Sequence, residues 1–214
     1  MSEGQRSSAA LSRVGAWMGI AFVVLFVVGF IVLPQPDDDK DLAGWERWWT
    51  DSGHRVGAVI GAYLMVLGLL AFVWFLWSLH RRFGDSGPMV IFGSLFAAMG
   101  LASALVRAAI PGGKLFGDSP VPAGEFSREF NNIGVALLVV AGALAAGAFV
   151  AVASHHAQRH ALLPGWLTTA GFVVAALQLA AGFFLPFVLF PLWVLVASIV
   201  LVRRNPSGSA APAS

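Results

Sequence analysis

The sequence contains no cysteine, and only 11% of its residues are charged. Without thiols the chain has no disulfide, no thiolate nucleophile and no cysteine-based metal or iron–sulfur site. Soluble domains carry charge on roughly a quarter of their residues, so this chain has too little charge to cover a surface exposed to water. Apolar residues make up 58% of the sequence instead, and they form six long stretches separated by short polar segments. This pattern predicts a multi-pass membrane protein.

Several chemical signatures are also missing. The sequence has no glycine-rich phosphate loop, no HExxH pattern and no Ser-His-Asp order. Its net charge of +2 is not gathered on one helix face, as binding to nucleic acid requires. His156 and His160 are spaced for a shared metal ion, but no third ligand stands nearby and Arg159 repels a cation. We therefore expect no nucleic-acid partner, no metal and no cofactor.

Length and proline divide the apolar stretches into helices. A membrane-spanning helix needs about 20 apolar residues, and Pro34, Pro88 and Pro111 coincide with breaks between stretches. The block 163–202 is too long for one span, and Pro186 and Pro191 divide it into two helices. The predicted fold is all-α, a six-transmembrane-helix bundle over 14–204 with helices at approximately 14–33, 55–79, 88–110, 125–154, 164–183 and 186–202. Residues 1–13 are predicted as a cytoplasmic N-terminal segment and 205–214 as a disordered tail.

Charge predicts the orientation. In short membrane loops Lys and Arg accumulate on the cytoplasmic side. With six spans, one side receives Arg6, Arg13, Arg81, Arg82, Arg159, Arg203 and Arg204. The opposite side receives Asp37, Asp38, Asp39, Asp41, Glu46, Asp51, Asp118, Glu125 and Glu129. We therefore expect both termini in the cytoplasm and the acidic loops outside the cell membrane.

The first outer loop carries a tryptophan pattern. Trp45, Trp48 and Trp49 recur at i, i+3 and i+4, which places their rings on one side of a short helix. Two interpretations remain open. The segment is either amphipathic and lies on the outer membrane surface, or it is a lid packed over the ends of the spanning helices.

Small residues predict how the bundle is held together. Inside lipid, close backbone contact rather than apolar burial drives helix association. The run 141–148 contains only Ala, Gly and one Leu, so we expect this part of the fourth helix at the centre of the bundle. Gly15 with Gly19, and Gly57 with Gly61, have the small-xxx-small spacing of helix contacts.

The most distinctive polar group opens the fourth helix. Glu125, Arg128, Glu129 and Asn132 follow helical spacing and share one face, beside Asn131. Arg107 lies inside the third predicted helix, about one turn before its end, and a charge within a span usually has a partner. We expect that partner to be Glu125 or Glu129. His54 and Arg55 begin the second helix on the same side.

This cluster has a functional and a structural interpretation. Two carboxylates in unequal environments can supply a general acid and a base to a lipidic substrate. Alternatively, Arg107 extends to the interface and pairs with Glu129, which ties the third helix to the fourth. The structural interpretation is favoured, because charges near helix ends need no function.

Four segments carry a family resemblance. They are the acidic, proline-containing first outer loop and the stretches 74–82 (WFLWSLHRR), 163–167 (LPGWL) and 198–203 (SIVLVR). With these segments the chain resembles a group of small, uncharacterised actinobacterial integral membrane proteins classed as domains of unknown function. The resemblance implies a helical bundle in the cytoplasmic membrane, and it implies no activity and no site residues.

Three functions are compatible with the sequence. The first is a non-catalytic bundle that binds a lipid, a membrane-protein partner or a second copy of itself. The second is an intramembrane enzyme that acts on a lipid or isoprenoid substrate through Glu125, Glu129 and Arg107. The third is a small transporter, which the absence of clear inverted repeats disfavours.

Overall fold

The structure is a bundle of helices. The computed structural model describes residues 3–33, 36, 41–84, 86–117, 119–179 and 185–203, and the regular structure within these ranges is entirely helical. The helices are α1 (Glu3–Val32), α2 (Leu42–Trp48), α3 (Ser52–Phe83), α4 (Gly87–Gly117), α5 (Gly124–Ala136), α6 (Ala143–Arg159), α7 (Gly165–Gln178) and α8 (Leu189–Arg203). A π-helical segment, Leu137–Gly142, joins α5 to α6, and a short 3-10 turn, Leu185–Val188, precedes α8.

Four helical stretches are long and apolar enough to cross a membrane. They are Val14–Val32 within α1, the whole of α3 and α4, and the continuous stretch Gly124–Arg159. Helices α7 and α8 are apolar but shorter, with 14 and 15 residues. The all-α prediction is therefore confirmed, while the count of six spans stays a prediction. Residues 183 and 184 of the predicted turn and the whole predicted tail at 205–214 fall outside the described residues, while 185 and 186 begin the 3-10 turn.

The observed helices are longer than the predicted ones at several ends. Helix α1 begins at Glu3 instead of residue 14, so it continues into the segment predicted to precede it. Helix α3 begins three residues earlier than predicted, where the Asp51 side chain accepts a hydrogen bond from the backbone N–H of His54 at 3.1 Å. It ends at Phe83 and is followed by Gly84, whose φ of 72° lies in the left-handed region that favours glycine.

The prediction that Pro111 ends the third spanning helix is wrong. Helix α4 continues through this proline to Gly117. A proline inside a helix removes one backbone donor, here the one that would bind the Arg107 carbonyl four residues earlier. Pro111 is buried in the bundle.

Phenylalanine rings from five helices meet in the core. Phe22 of α1, Phe72 of α3, Phe96 of α4, Phe149 of α6 and Phe190 of α8 are all fully buried. The ring centroids of Phe72 lie 5.0 Å from Phe22, 5.2 Å from Phe96 and 5.4 Å from Phe149. Phe96 and Phe190 make an edge contact at 4.6 Å. These tilted and edge-on contacts are the favourable geometries for aromatic pairs, so each of the five helices contributes one ring to a shared centre.

Glycine lets α1 and α3 touch backbone to backbone. A Cβ atom placed on Gly29 would lie 2.7 Å from the carbonyl oxygen of Gly61, and one placed on Gly61 would lie 2.8 Å from the oxygen of Gly29. At the other end of the same antiparallel pair, Gly15 packs against the Ser78 side chain. Gly19, which was also predicted as a helix-contact glycine, faces Ser198 of α8 and Phe75 of α3.

The small-residue run of the fourth long helix is largely buried. Ala143, Ala145, Ala146 and Gly147 all lie in the interior of the bundle. Gly147 contacts α7, because a Cβ placed there would lie 2.9 Å from the Cβ of Gln178. The expectation that this run lies centrally is confirmed for these four residues, while Leu144 is exposed.

The two ends of the bundle differ in their carboxylates. The "basic end" is where α3, α6 and α8 finish, and their last turns carry His80, Arg81, Arg82, His156, Arg159 and Arg203. The rings of Phe83 and His156 stack at 6.0 Å, which brings the ends of α3 and α6 together. The "lid end" is the opposite one, where α2 lies near the start of α5. Its described carboxylates are Asp41, Glu46, Asp51, Glu125 and Glu129.

Candidate functional site

The tryptophan segment packs as a lid. We call residues 42–50 the lid. Asp41 begins its helix by accepting hydrogen bonds from the Gly44 amide at 2.8 Å and from the Arg47 guanidinium at 3.1 Å. The side chains of Trp45 and Trp49 are buried in the hydrophobic core, with residue exposures of 2% and 4%. Burial of this kind supports the lid interpretation over an amphipathic helix that rests on the membrane surface.

His54 and Arg55 hold the lid onto α3. The His54 ring stacks on the Trp48 ring at 3.7 Å with an interplanar angle of 8°, and its Nδ1 lies 3.2 Å from the Trp48 carbonyl oxygen. Arg55 Nη1 donates to the carbonyl oxygens of Trp49 and Thr50, both at 2.8 Å. Both predicted site residues are therefore engaged with the backbone of the lid.

Glu46 connects the lid to α5. Its Oε1 accepts a hydrogen bond from the Gly124 amide at 3.0 Å, at a helix start where Ala123 provides no side-chain cap. A carboxylate is favourable there because helix N-termini carry partial positive charge. Gly124 itself lies so close to the Leu42 carbonyl that a Cβ would overlap it. From the sequence, Glu46 was assigned only to an acidic loop. The available signal was Ala123, whose side chain cannot accept a hydrogen bond at the start of α5.

Arg107 is buried, and its partner is not the predicted one. Only 7% of the residue is exposed, and its Nε donates to Asn131 Oδ1 at 3.0 Å. The guanidinium carbon lies 5.6 Å from the centre of the Phe30 ring, a cation–π distance. The Arg107 side chain also packs on Gly134, where a Cβ would collide with its Cγ. The prediction that Arg107 pairs with Glu125 or Glu129 is wrong, because α5 turns Asn131 rather than either glutamate toward α4.

The predicted polar stripe faces away from Arg107. Glu125, Glu129 and Asn132 are exposed, whereas Ser127 and Gly134, on the side of α5 that carries Asn131, are buried. Arg128 Nη2 lies 3.0 Å from Glu129 Oε1, and the Glu129 side chain is 53% exposed. An ion pair this accessible contributes little stability, about 0–1 kcal/mol. The stripe is thus a solvated face with its own local ion pair.

The surroundings of Arg107 suit binding better than acid–base chemistry. Its Nη1 and the Ser103 hydroxyl, one turn earlier on α4, are buried without hydrogen-bond partners among the described residues. The π-helical segment begins three residues after Gly134 and packs against α4; such segments are frequent at functional sites. Two donors can hold an acceptor atom, but no carboxylate in the described part of the chain hydrogen-bonds Arg107 to act as a base.

Histidines at the basic end form a stack instead of a ligand set. The rings of His156 and His160 are nearly parallel with centroids 6.4 Å apart. Within the described ranges, no group of three or more histidine, aspartate or glutamate side chains is placed to hold a metal ion. Arg159 lies between these histidines in sequence and is exposed.

Comparisons with protein-family models, with curated proteins and with solved structures found no match to this chain. The resemblance to actinobacterial membrane proteins of unknown function is not tested by them and stays a prediction. Functional inference therefore depends on the geometry of the chain's own residues.

Proposed function

We propose that the chain is a six-span bundle of the cell membrane, with both termini in the cytoplasm, that binds a lipid or a membrane-protein partner without catalysing a reaction. The first support is the set of four long apolar helices. The second is the packing of α7 and α8 against them. The third is the excess of arginine over carboxylate at the basic end. The fourth, which argues against acid–base chemistry by the predicted cluster, is the contact of Arg107 with Asn131.

Helix α8 with the turn before it has the reach of a further span, whereas the 14 residues of α7 extend about 21 Å. The 15 residues of α8 with the four of the preceding 3-10 turn extend about 30 Å at 1.5 and 2.0 Å per residue, close to the hydrocarbon thickness. Trp193 of α8 donates to the Leu167 carbonyl of α7 at 3.4 Å. Phe190 belongs to the aromatic centre that the long helices share. These contacts support a pair of helices inserted at the same depth as the others.

The charge distribution supports the proposed orientation. Arg81, Arg82, Arg159 and Arg203 end α3, α6 and α8 at the basic end, whereas the arginines of the lid end are accompanied by its carboxylates. Short loops rich in arginine remain in the cytoplasm. A reporter fused to the carboxyl terminus should therefore be active in the cytoplasm, and one inserted at 119–122 should be active outside. The reverse pair of results would overturn the orientation.

The contact between Arg107 and Asn131 carries the non-catalytic part of the proposal. The buried cation of α4 is held by an amide of α5 and a ring of α1, so it positions three helices. The carboxylates that an enzyme needs are exposed on the other face of α5. The test compares wild type with the Glu125→Gln/Glu129→Gln double variant, expressed in the native membrane. We expect identical total lipid extracts, and identical bound species by native mass spectrometry. Accumulation of one lipid in the variant alone would instead support the intramembrane enzyme.

A further inference from the structure

A cavity of about 410 Å³ opens between α3 and α4 near the basic end. We call it the groove. The α3 side is formed by Val73, Leu76, Trp77 and His80. The α4 side is formed by Gly87, Val90, Ile91 and Ser94. Both sets follow the spacing i, i+3, i+4, i+7, so each wall is one continuous stripe on its helix.

The groove runs from the α3–α4 turn toward the middle of the bundle. The two helices are antiparallel neighbours, so His80 and Gly87 lie at the mouth, and Val73 and Ser94 lie at the inner end. Seven residues of helix extend about 10 Å. Trp77 and Ile91 on its walls are 56% and 65% exposed, so the groove opens sideways toward lipid. The small residues Gly87, at the mouth, and Ser94, at the inner end, keep the groove wide.

The mouth of the groove carries positive charge. The last turn of α3 contains His80, Arg81 and Arg82, and α4 begins beside it with no acidic residue in its first turn. Helix N-termini attract anions through their free N–H groups. One acidic residue of the sequence, Asp85, lies in this turn but outside the described residues. The two arginines therefore outnumber this carboxylate.

His80 is positioned to donate toward the mouth. Its Nδ1 lies 2.8 Å from the Ser86 hydroxyl oxygen, and that oxygen lies 3.3 Å from the Gly84 carbonyl oxygen. The hydroxyl has a single proton and lies nearer to Nδ1, so it donates to Nδ1 of the neutral ring. The ring proton is then on Nε2, which remains to donate to a ligand.

The apolar walls and the basic mouth of the groove fit one class of ligand. Basic pockets between spanning helices on the cytoplasmic side hold anionic lipid headgroups. We infer that the groove binds one anionic phospholipid, with its acyl chain between Trp77 and Ile91 and its phosphate against His80, Arg81 and the start of α4. This inference depends on the proposed function, and it names the ligand class and the place of binding.

The test uses protein in bilayers of phosphatidylcholine with a minor fraction of phosphatidylglycerol. Native mass spectrometry then counts the lipids retained after transfer from the bilayer. We expect wild type to retain one phosphatidylglycerol with a preference of about fivefold over phosphatidylcholine for each contributing arginine. Equal retention of the two lipids would overturn the inference.

Three variants test the location. Ser94→Phe fills the inner end, and Gly87→Leu narrows the mouth, where a new Cβ meets no atom within 4 Å. Arg81→Gln removes charge without adding bulk. Each should lower phosphatidylglycerol retention to the phosphatidylcholine level. Unchanged retention in Ser94→Phe and Gly87→Leu together would show that the lipid binds elsewhere.

Matched controls distinguish this inference from the proposed function. Leu105→Phe adds the same ring to an exposed site on α4, and Arg203→Gln removes a charge at the basic end outside the groove; both should retain lipid as wild type does. Retention of a partner protein, but of no phosphatidylglycerol, would refute lipid binding in the groove and leave the proposed function intact. A lipid whose mass is altered by wild type alone would refute the proposed function itself.

Discussion

The contact between Gly29 and Gly61 gives the sharpest test of how the bundle is held together. It lies within the most extensive helix–helix contact of the described residues, that of α1 with α3. Gly29→Ala adds a methyl group 2.7 Å from the Gly61 oxygen and 2.7 Å from the Met65 nitrogen. Ordinary contact for a Cβ begins at 3.4 Å, so the helices must separate by 3.4 − 2.7 = 0.7 Å.

This separation has a calculable cost. Forcing an extra methyl into a packed interior destabilises by about 1–3 kcal/mol, and helix association in lipid depends on such close approach. We expect Gly29→Ala to lower the free energy of unfolding by about 2 kcal/mol. Gly61→Ala should have a similar effect. The double variant should lower the free energy of unfolding by less than the sum of the two single effects, because one separation of the helices accommodates both methyl groups.

The assay is reversible unfolding in mixed micelles by titration with sodium dodecyl sulfate, followed by circular dichroism. The control is Gly112→Ala, inside α4, where a new Cβ meets no atom within 4 Å. Replacing glycine by alanine in an open helix position should stabilise by about 0.5–1 kcal/mol. The reasoning is refuted if Gly29→Ala unfolds at the same detergent fraction as Gly112→Ala.

Three further predictions concern the lid end. Asn131→Leu removes the oxygen that accepts from the buried guanidinium and should destabilise by about 2 kcal/mol in the same titration, whereas Asn132→Leu, on the exposed face, should change little; equal effects would contradict the contact. Glu46→Ala should accelerate hydrogen exchange at the Gly124 amide, its hydrogen-bond donor, about fivefold, and unchanged exchange would exclude this cap. Asp51 has a pKa lowered from 3.8, chiefly by the backbone hydrogen bond at the start of α3, so it stabilises that helix end above this pH and loses the effect as the pH falls through the lowered value. Amide exchange in the first turn of α3 should therefore be faster in Asp51→Ala at neutral pH and equal to wild type in strong acid; a difference that persists in acid would exclude the carboxylate as its cause.

The all-α class could be predicted from the sequence, because a helix that crosses a bilayer needs an apolar run of known length. Contacts that depend on the rotation of a helix about its axis could not be predicted. Asn131 and Asn132 are adjacent, yet one meets Arg107 and the other is exposed. The charge pattern drew attention to the exposed face, where carboxylates are frequent.

Contacts between distant segments were equally hidden. Glu46 and Gly124 are 78 positions apart, and no local pattern connects them. Pro111 was assigned its usual role as a helix end, because its burial depends on neighbouring helices. The lid was left between two interpretations, since tryptophan spacing defines a face but does not determine what covers that face.

The π-helical segment Leu137–Gly142 has a consequence for how the long helix tolerates change in length. A turn closed by i→i+5 bonds holds one residue more than an α-helical turn. Loss of a single residue there, such as the exposed Val140, converts the widened turn to an ordinary one while the faces of α5 and α6 keep their directions. Elsewhere in either helix the same loss rotates everything beyond it by about 100°. Shortening by one position is thus absorbed at this turn and nowhere else along α5 and α6.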